Sequence, residues 1–208
     1  MDRGWSQQEA AARLGVTQAY LSMLEGGRRS AEPLARKLMR LYGLPPTTLP
    51  LHDVRENVSP NRLAGELAQL GYPGFAHLRG HARAVNPAEF LLTALSQRNL
   101  EARVAEALPW VAVRYADMPH DWLVRESQAL ALQNRLGFVV TLARRAAARD
   151  DLELLERTLR NNKLVREDSF CKELNEPERR WLRKHSSREA REWHLLSDLR
   201  PEDVRYVE

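Results

Sequence analysis

Apolar side chains recur three or four positions apart over most of this 208-residue chain, and alternation in twos is nearly absent. The first spacing belongs to helices that bury one face, the second to half-buried strands. Residues 5–29, WSQQEAAARLGVTQAYLSMLEGGRR, divide into two short helices. Ala10, Ala11 and Leu14 face inward on the first, Leu21 and Leu24 on the second. Beyond residue 53 the same spacing predicts a helix over 59–71 on Leu63, Leu67 and Leu70, and another over 86–97 behind Asn86 and Pro87. A helix over 99–116 is bent or broken at Pro109, whose ring and missing N–H interrupt the ladder, and sets Trp110, Val113 and Tyr115 at a packing point. The longest run, 119–150, predicts one central helix with Trp122, Leu123, Leu130, Leu136, Val139, Val140 and Ala143 on its apolar side. A helix over 152–164 is expected to pack antiparallel to it through Leu154, Leu155 and Leu159. The fold class expected is all-α.

Punctuation between the periodic stretches refines this. Ser6 followed three residues later by Glu9 is a capping box, in which each side chain answers the other's backbone N–H. Gly15 can take the left-handed conformation that closes a helix, Val16 can plug the space between the two helices, and Thr17 caps the second one. Gly26 and Gly27 end it. A helix, a short turn holding a glycine and a second helix make a helix-turn-helix. The segment LPPTTLPLHD at 44–53 reads as a linker. The expected organisation is therefore a helix-turn-helix headpiece over 1–50 and a larger all-α domain of antiparallel helical hairpins over 51–208. No segment recurs at the period of about 34 residues that a helical repeat array would need.

The stretch SQQEAAARLGVTQAYLSMLEGGRR resembles the phage-repressor (Cro/XRE) helix-turn-helix family. The matching features are Gln7 after the cap, Ala10, the LGV turn at 14–16, TQ at 17–18, Leu21 and LEGG at 24–27. SAEPLARKLMRLYGLPPTTL is similar to the family's later helices. The resemblance implies that the second helix lies in the major groove. Gln18 then reads adenine through its amide, Ala19 and Met23 face the same groove, and Tyr20 and Ser22 reach its flanks. Thr17 stands at the entry to that helix, Gln7 meets a phosphate, and Arg28 and Arg29 neutralise the backbone. Glu25 is expected to bond nearby backbone or an Arg. It also implies a homodimer on two-fold double-stranded DNA. The chain departs from the family at its front, because members carry a further helix before the position of Trp5 and only MDRG stands here. The expectation is a headpiece without its first helix, or a chain whose start lies upstream.

Charge supports binding at the front. Residues 1–50 hold seven Arg and Lys against four Asp and Glu, a net of +3, while 51–208 hold 25 against 24, a net of +1. A small positive domain ahead of a balanced one suits nucleic-acid binding by the first alone. A single cysteine, Cys171, fits a reducing compartment. With no long apolar run and no secretory signal, a cytoplasmic protein without membrane contact is expected.

Enzyme chemistry finds little to stand on. His77 and His81 lie four apart, but Leu78 occupies the place where a metalloprotease helix needs Glu. Cys171, His185 and His194 are too dispersed for zinc, and Asp150 with Asp151 falls at a helix junction, where Asp caps. No metal, cofactor or active site is expected. The mixed-charge tail from residue 175 carries Trp181, Leu182, Trp193, Leu195, Leu196 and Leu199 as anchors. It is expected to be a solvated face of short helices, or else the edge that docks a partner protein through Trp181, Arg183 and Trp193. The reading that follows is a sequence-specific transcriptional regulator, a repressor or antitoxin-type protein with a partner-binding second domain. A ligand-sensing regulator, or an interaction module with a degenerate helix-turn-helix, is the alternative.

Overall fold

Serine, threonine and asparagine side chains open six of the helices, each accepting the backbone N–H that a helix start leaves without a partner. The computed structural model describes residues 4–80 and 82–207, and His81, one half of the His77 and His81 pair, lies outside the described residues. The chain divides into two units, Met1–Pro50 and Leu51–Glu208. The fold is all-α.

The first unit holds α1 (Gln7–Leu14), α2 (Gln18–Glu25) and α3 (Ala35–Tyr42), with 3-10 turns at Glu32–Leu34 and Pro46–Thr48. Its core is Ala10, Ala11, Leu14 and Leu21, with Trp5, Val16, Leu38 and Leu41 packed around it. Leu24, expected in the core, is only half-buried. Trp5 is held within this unit: the Arg13 guanidinium lies 4.2 Å from its ring centre and Tyr42 packs at 5.8 Å.

The second unit strings together α4 (Pro60–Gln69), α5 (Pro87–Ser96), α6 (Ala102–Arg114), α7 (His120–Ala129), α8 (Gln133–Ala147), α9 (Glu153–Asn161), α10 (Glu176–His185) and α11 (Arg188–Glu192). Two short strands, β1 (Asp168–Ser169) and β2 (Leu195–Leu196), pair in parallel with Asp168 opposite Leu195. α8 is the central helix, and every residue from Gln133 to Ala143 is buried. Trp193 packs against its Gly137, where any Cβ would overlap the indole ring, and donates to Thr141 Oγ1 at 2.8 Å.

Four local expectations are corrected. Of the bend or break expected at Pro109, the break is overturned, because α6 runs through it. The cost of an interior proline, about 3 kcal/mol, is offset by burial of Val104, Leu108, Val111 and Ala112 around it. The predicted 119–150 helix is two helices, because Ala131 turns left-handed at φ +54° and the Leu132 N–H closes back on the Ser127 carbonyl at 2.7 Å. Leu154 is 62% exposed, whereas Leu152, Leu155 and Leu159 are buried; steps of 100° prevent Leu154 and Leu155 from sharing the inward stripe with both outer leucines. Asp150 and Asp151 cap nothing, and Arg149 grips Asp151 instead, at 2.9 and 2.5 Å.

Buried charge in this unit is paired. Arg135 on α8 meets Asp168 with two hydrogen bonds of 2.9 and 3.1 Å and also donates to the carbonyls of Leu95 and Gln97 at 2.7 and 3.0 Å. Burial alone would raise the Asp168 pKa, but Arg135, Lys172 and the Ser169 N–H outweigh it and lower it to about 2. Arg55 clamps Glu66 at 2.8 and 2.7 Å, while Arg83 and His52 meet Glu89. The sequence periodicity carried no sign of these clusters, since glutamates on helices read as solvent-facing.

Candidate nucleic-acid interface

Ser6 accepts the Glu9 N–H at 3.2 Å, and Glu9 takes the Ser6 N–H at 2.9 Å, so the capping box of α1 is complete. The Ser6 N–H, joined by the Ser6 hydroxyl donating to the same carboxylate at 2.9 Å, holds the Glu9 carboxyl below its ordinary pKa. At the other end Gly15 adopts φ +63°, and Val16 N–H closes on the Ala11 carbonyl at 3.0 Å. Lys37 reaches across from α3 to the Leu14 carbonyl at 2.6 Å, a cation on the negative end of α1. Thr17 accepts the Tyr20 N–H at 3.2 Å and starts α2. Gly27 at φ +67°, with Arg28 N–H on the Met23 carbonyl at 2.8 Å, ends it. Each turn of the motif therefore has its backbone groups satisfied by residues the sequence placed there.

This geometry sorts the predicted contact residues. Leu21 faces the core, and Gln18, Ala19 and Ser22 stand exposed on α2, with Tyr20 and Met23 half-buried beside them. The Thr17 hydroxyl is engaged as the helix cap. Arg28 and Arg29 are exposed, and no ion pair among the described residues engages either. Gln7 and Gln18, eleven residues apart, meet directly: Gln18 Nε2 donates to Gln7 Oε1 at 3.2 Å. Gln7 Nε2 in turn donates to Glu25 Oε2 at 2.6 Å. Glu25 thus bonds neither backbone nor Arg, as expected of it, but a side chain at the opposite end of the motif. Sequence reasoning missed that link, as well as Lys37, because both depend on how α1, α2 and α3 cross.

The predicted docking residues at the tail do not form one set. Trp193 is wholly buried, so it is a packing centre and not a docking residue. Arg183 is exposed, gripping Glu167 at 3.0 and 2.9 Å and holding its carboxyl low. Trp181 is 50% exposed and stacked on His185 at 4.3 Å. These two rings and Lys184, Arg191, Asp198 and Arg200 line a cleft of about 640 Å³. His77 sits exposed in a 3-10 turn, and among the described residues no three His, Cys, Asp or Glu side chains gather as a metal site. No helix among the described residues is long and apolar enough to cross a membrane.

Residues 1–51 match a family model described as a helix-turn-helix domain, and the match stops at the boundary between the two units. No curated protein and no solved structure matches the chain.

Proposed function

We propose that this chain is a sequence-specific DNA-binding regulator of transcription of the Cro/XRE type, acting as a repressor or antitoxin-like protein, and that it is not an enzyme. α2 enters the major groove, with Gln18 on a base edge and Ala19, Ser22 and Met23 beside it. Tyr20 reaches the flank, Gln7 uses its remaining amide hydrogen on a phosphate, and Arg28 and Arg29 meet the backbone. The observation that carries the reading is the exposed polar face of α2 beside two cations without ion partners among the described residues, within a unit that matches a helix-turn-helix domain. A homodimer on a two-fold site compensates for the small number of base readers. The second unit binds a protein partner, and the half-exposed Trp181 with Arg183 beside it is the anchor that favours this. The cleft at Trp181 favours a second reading, a small polar ligand sensed there between the Trp181 ring and the charged side chains of Lys184, Arg191 and Arg200.

Duplex binding across a salt series tests the proposal, using DNA from upstream of the coding sequence against a scrambled duplex. Affinity is expected to fall steeply with salt, at a slope of about 0.9 per phosphate neutralised. Arg28→Ala should weaken all sequences alike and flatten that slope by about one, while Gln18→Ala should relax preference at one base pair by about 1–3 kcal/mol. Weak binding, equal on both duplexes and untouched by either substitution, would leave an interaction module without a DNA role.

A further inference from the structure

Three polar side chains span the exposed face of the helix-turn-helix in one direction: Gln18 donates to Gln7, and Gln7 donates to Glu25, at 3.2 and 2.6 Å. An amide can be turned end for end, exchanging a donor for an acceptor, whereas a carboxylate only accepts. Glu25 therefore sets the orientation of both amides. With its carboxylate at one end, Gln7 must present Nε2 to it and Oε1 to Gln18. Gln18 must then use one Nε2 hydrogen on Gln7, which leaves its Oε1 and the other hydrogen for whatever lies against α2.

From this chain we infer that Glu25 is a specificity-determining residue, acting through Gln7 to fix which base Gln18 can read. The inference rests on the groove docking proposed above. One acceptor and one donor match the N6–H and N7 of adenine. They do not match guanine, which offers acceptors at both O6 and N7 and would set O6 against Gln18 Oε1. Reversing the chain inverts the choice: a donor at position 25 turns Gln7 Oε1 toward itself, Gln7 Nε2 then donates to Gln18 Oε1, and the whole Gln18 amide NH₂ faces the groove. Two hydrogens on the groove side suit the two acceptors of guanine, while Gln18 Oε1, turned toward Gln7, keeps one lone pair but is drawn away from adenine N6–H. Glu25 touches no base in this arrangement, so it is a positioning residue. Water competes with the relay on the free protein, where Glu25 and Gln18 are exposed. Duplex docking excludes that water, and the relay strengthens where it matters.

The test uses the full chain. Duplexes selected from a random pool by the wild type are first varied one base pair at a time, and Gln18→Ala identifies the pair it reads. At that pair the ratio of affinities for A·T and G·C is then measured for wild type, Glu25→Gln and Glu25→Lys. The ratio cancels the general gain in affinity that an added positive charge brings. The wild type is expected to favour A·T by roughly tenfold or more. Glu25→Gln, which can sit either way round, should bring the ratio near one, and Glu25→Lys should move it toward G·C. A second readout needs no DNA: the Gln18 side-chain amide resonances should shift in Glu25→Lys and stay in place in Glu9→Gln. If both Glu25 variants keep the wild-type ratio while Gln18→Ala abolishes it, the relay is wrong and the groove docking stands. If Gln18→Ala changes preference at no position, the docking fails and the relay with it.

Discussion

The two units use charge in opposite ways. In the second, Arg135, Arg55, Arg83 and Arg145 are bound to buried carboxylates, and Arg183 is paired at the surface with Glu167. In the first, Arg28 and Arg29 have no ion partner among the described residues, and a core of four buried residues holds the helices together. The first unit gains its shape from caps, glycine turns and that small core, which leaves Arg28 and Arg29 exposed. The second buries the charged side chains of Glu66, Glu89, Arg135, Glu156, Asp168 and Glu189, and pairs each of them within itself. Arginines thus stand exposed at positions 28 and 29 of one unit and tie the other together, and the size of the net charge, +3 against +1, records the difference only weakly.

The sharpest way to break this comparison is to remove one arginine from each side. Arg135→Met leaves Asp168 buried with Lys172 as its remaining cation, and losing one partner of a buried pair costs about 3–5 kcal/mol. Arg28→Ala removes an exposed group and should change stability by less than about 0.5 kcal/mol. Urea unfolding followed by Trp fluorescence reads both, and equal losses would show that the first unit's arginines are also structural. Acid gives the next largest effect. The folded pKa of Asp168 lies at about 2 against an ordinary 3.8, so the pair contributes fully above the unfolded value and is lost as pH falls through the folded one. That is worth about 2 kcal/mol. Unfolding midpoints of wild type and Asp168→Asn should therefore converge on acidification from about pH 5 to about pH 2. A constant difference would mean that Asp168 is not held ionised by Arg135.

How far the sequence reached follows the same division. The first unit was legible almost residue by residue, because Ser6, Gly15, Thr17 and Gly27 act on backbone groups within five positions of themselves. Helix existence in the second unit was legible for the same reason, through Ser59 and Asn86. What stayed hidden depends on distant chain. Arg135 meets Asp168 from thirty-three residues away, Trp193 finds Gly137 across the core, and Gln7 finds Glu25 only once α1 and α2 cross. Tryptophan is as good a core residue as a docking anchor, and only the fold separates Trp193, wholly buried, from Trp181, half exposed. The predicted continuous helix over 119–150 failed for a local reason, since nothing about alanine announces a left-handed turn.

That turn allows a finer test of the contrast between the units. In the first, α1 and α3 end on left-handed glycines, Gly15 at φ +63° and Gly43 at φ +67°. In the second, α4 also closes on a glycine, Gly71 at φ +95°, but α7 and α8 close on alanines, Ala131 at φ +54° and Ala148 at φ +49°. A left-handed alanine carries about 1 kcal/mol of steric cost that glycine does not. Glycine gives part of it back through the greater freedom of the unfolded chain, about 0.4–1 kcal/mol. Ala131→Gly and Ala148→Gly should therefore each stabilise the second unit slightly, by up to about 0.5 kcal/mol, and add when combined because the two turns close different helices. A thermal melt of the double variant measures the sum. A loss of stability instead would mean that the alanine methyls pack against their surroundings strongly enough to outweigh the backbone cost, and that the second unit's packing, not its turn chemistry, decides where α7 and α8 end.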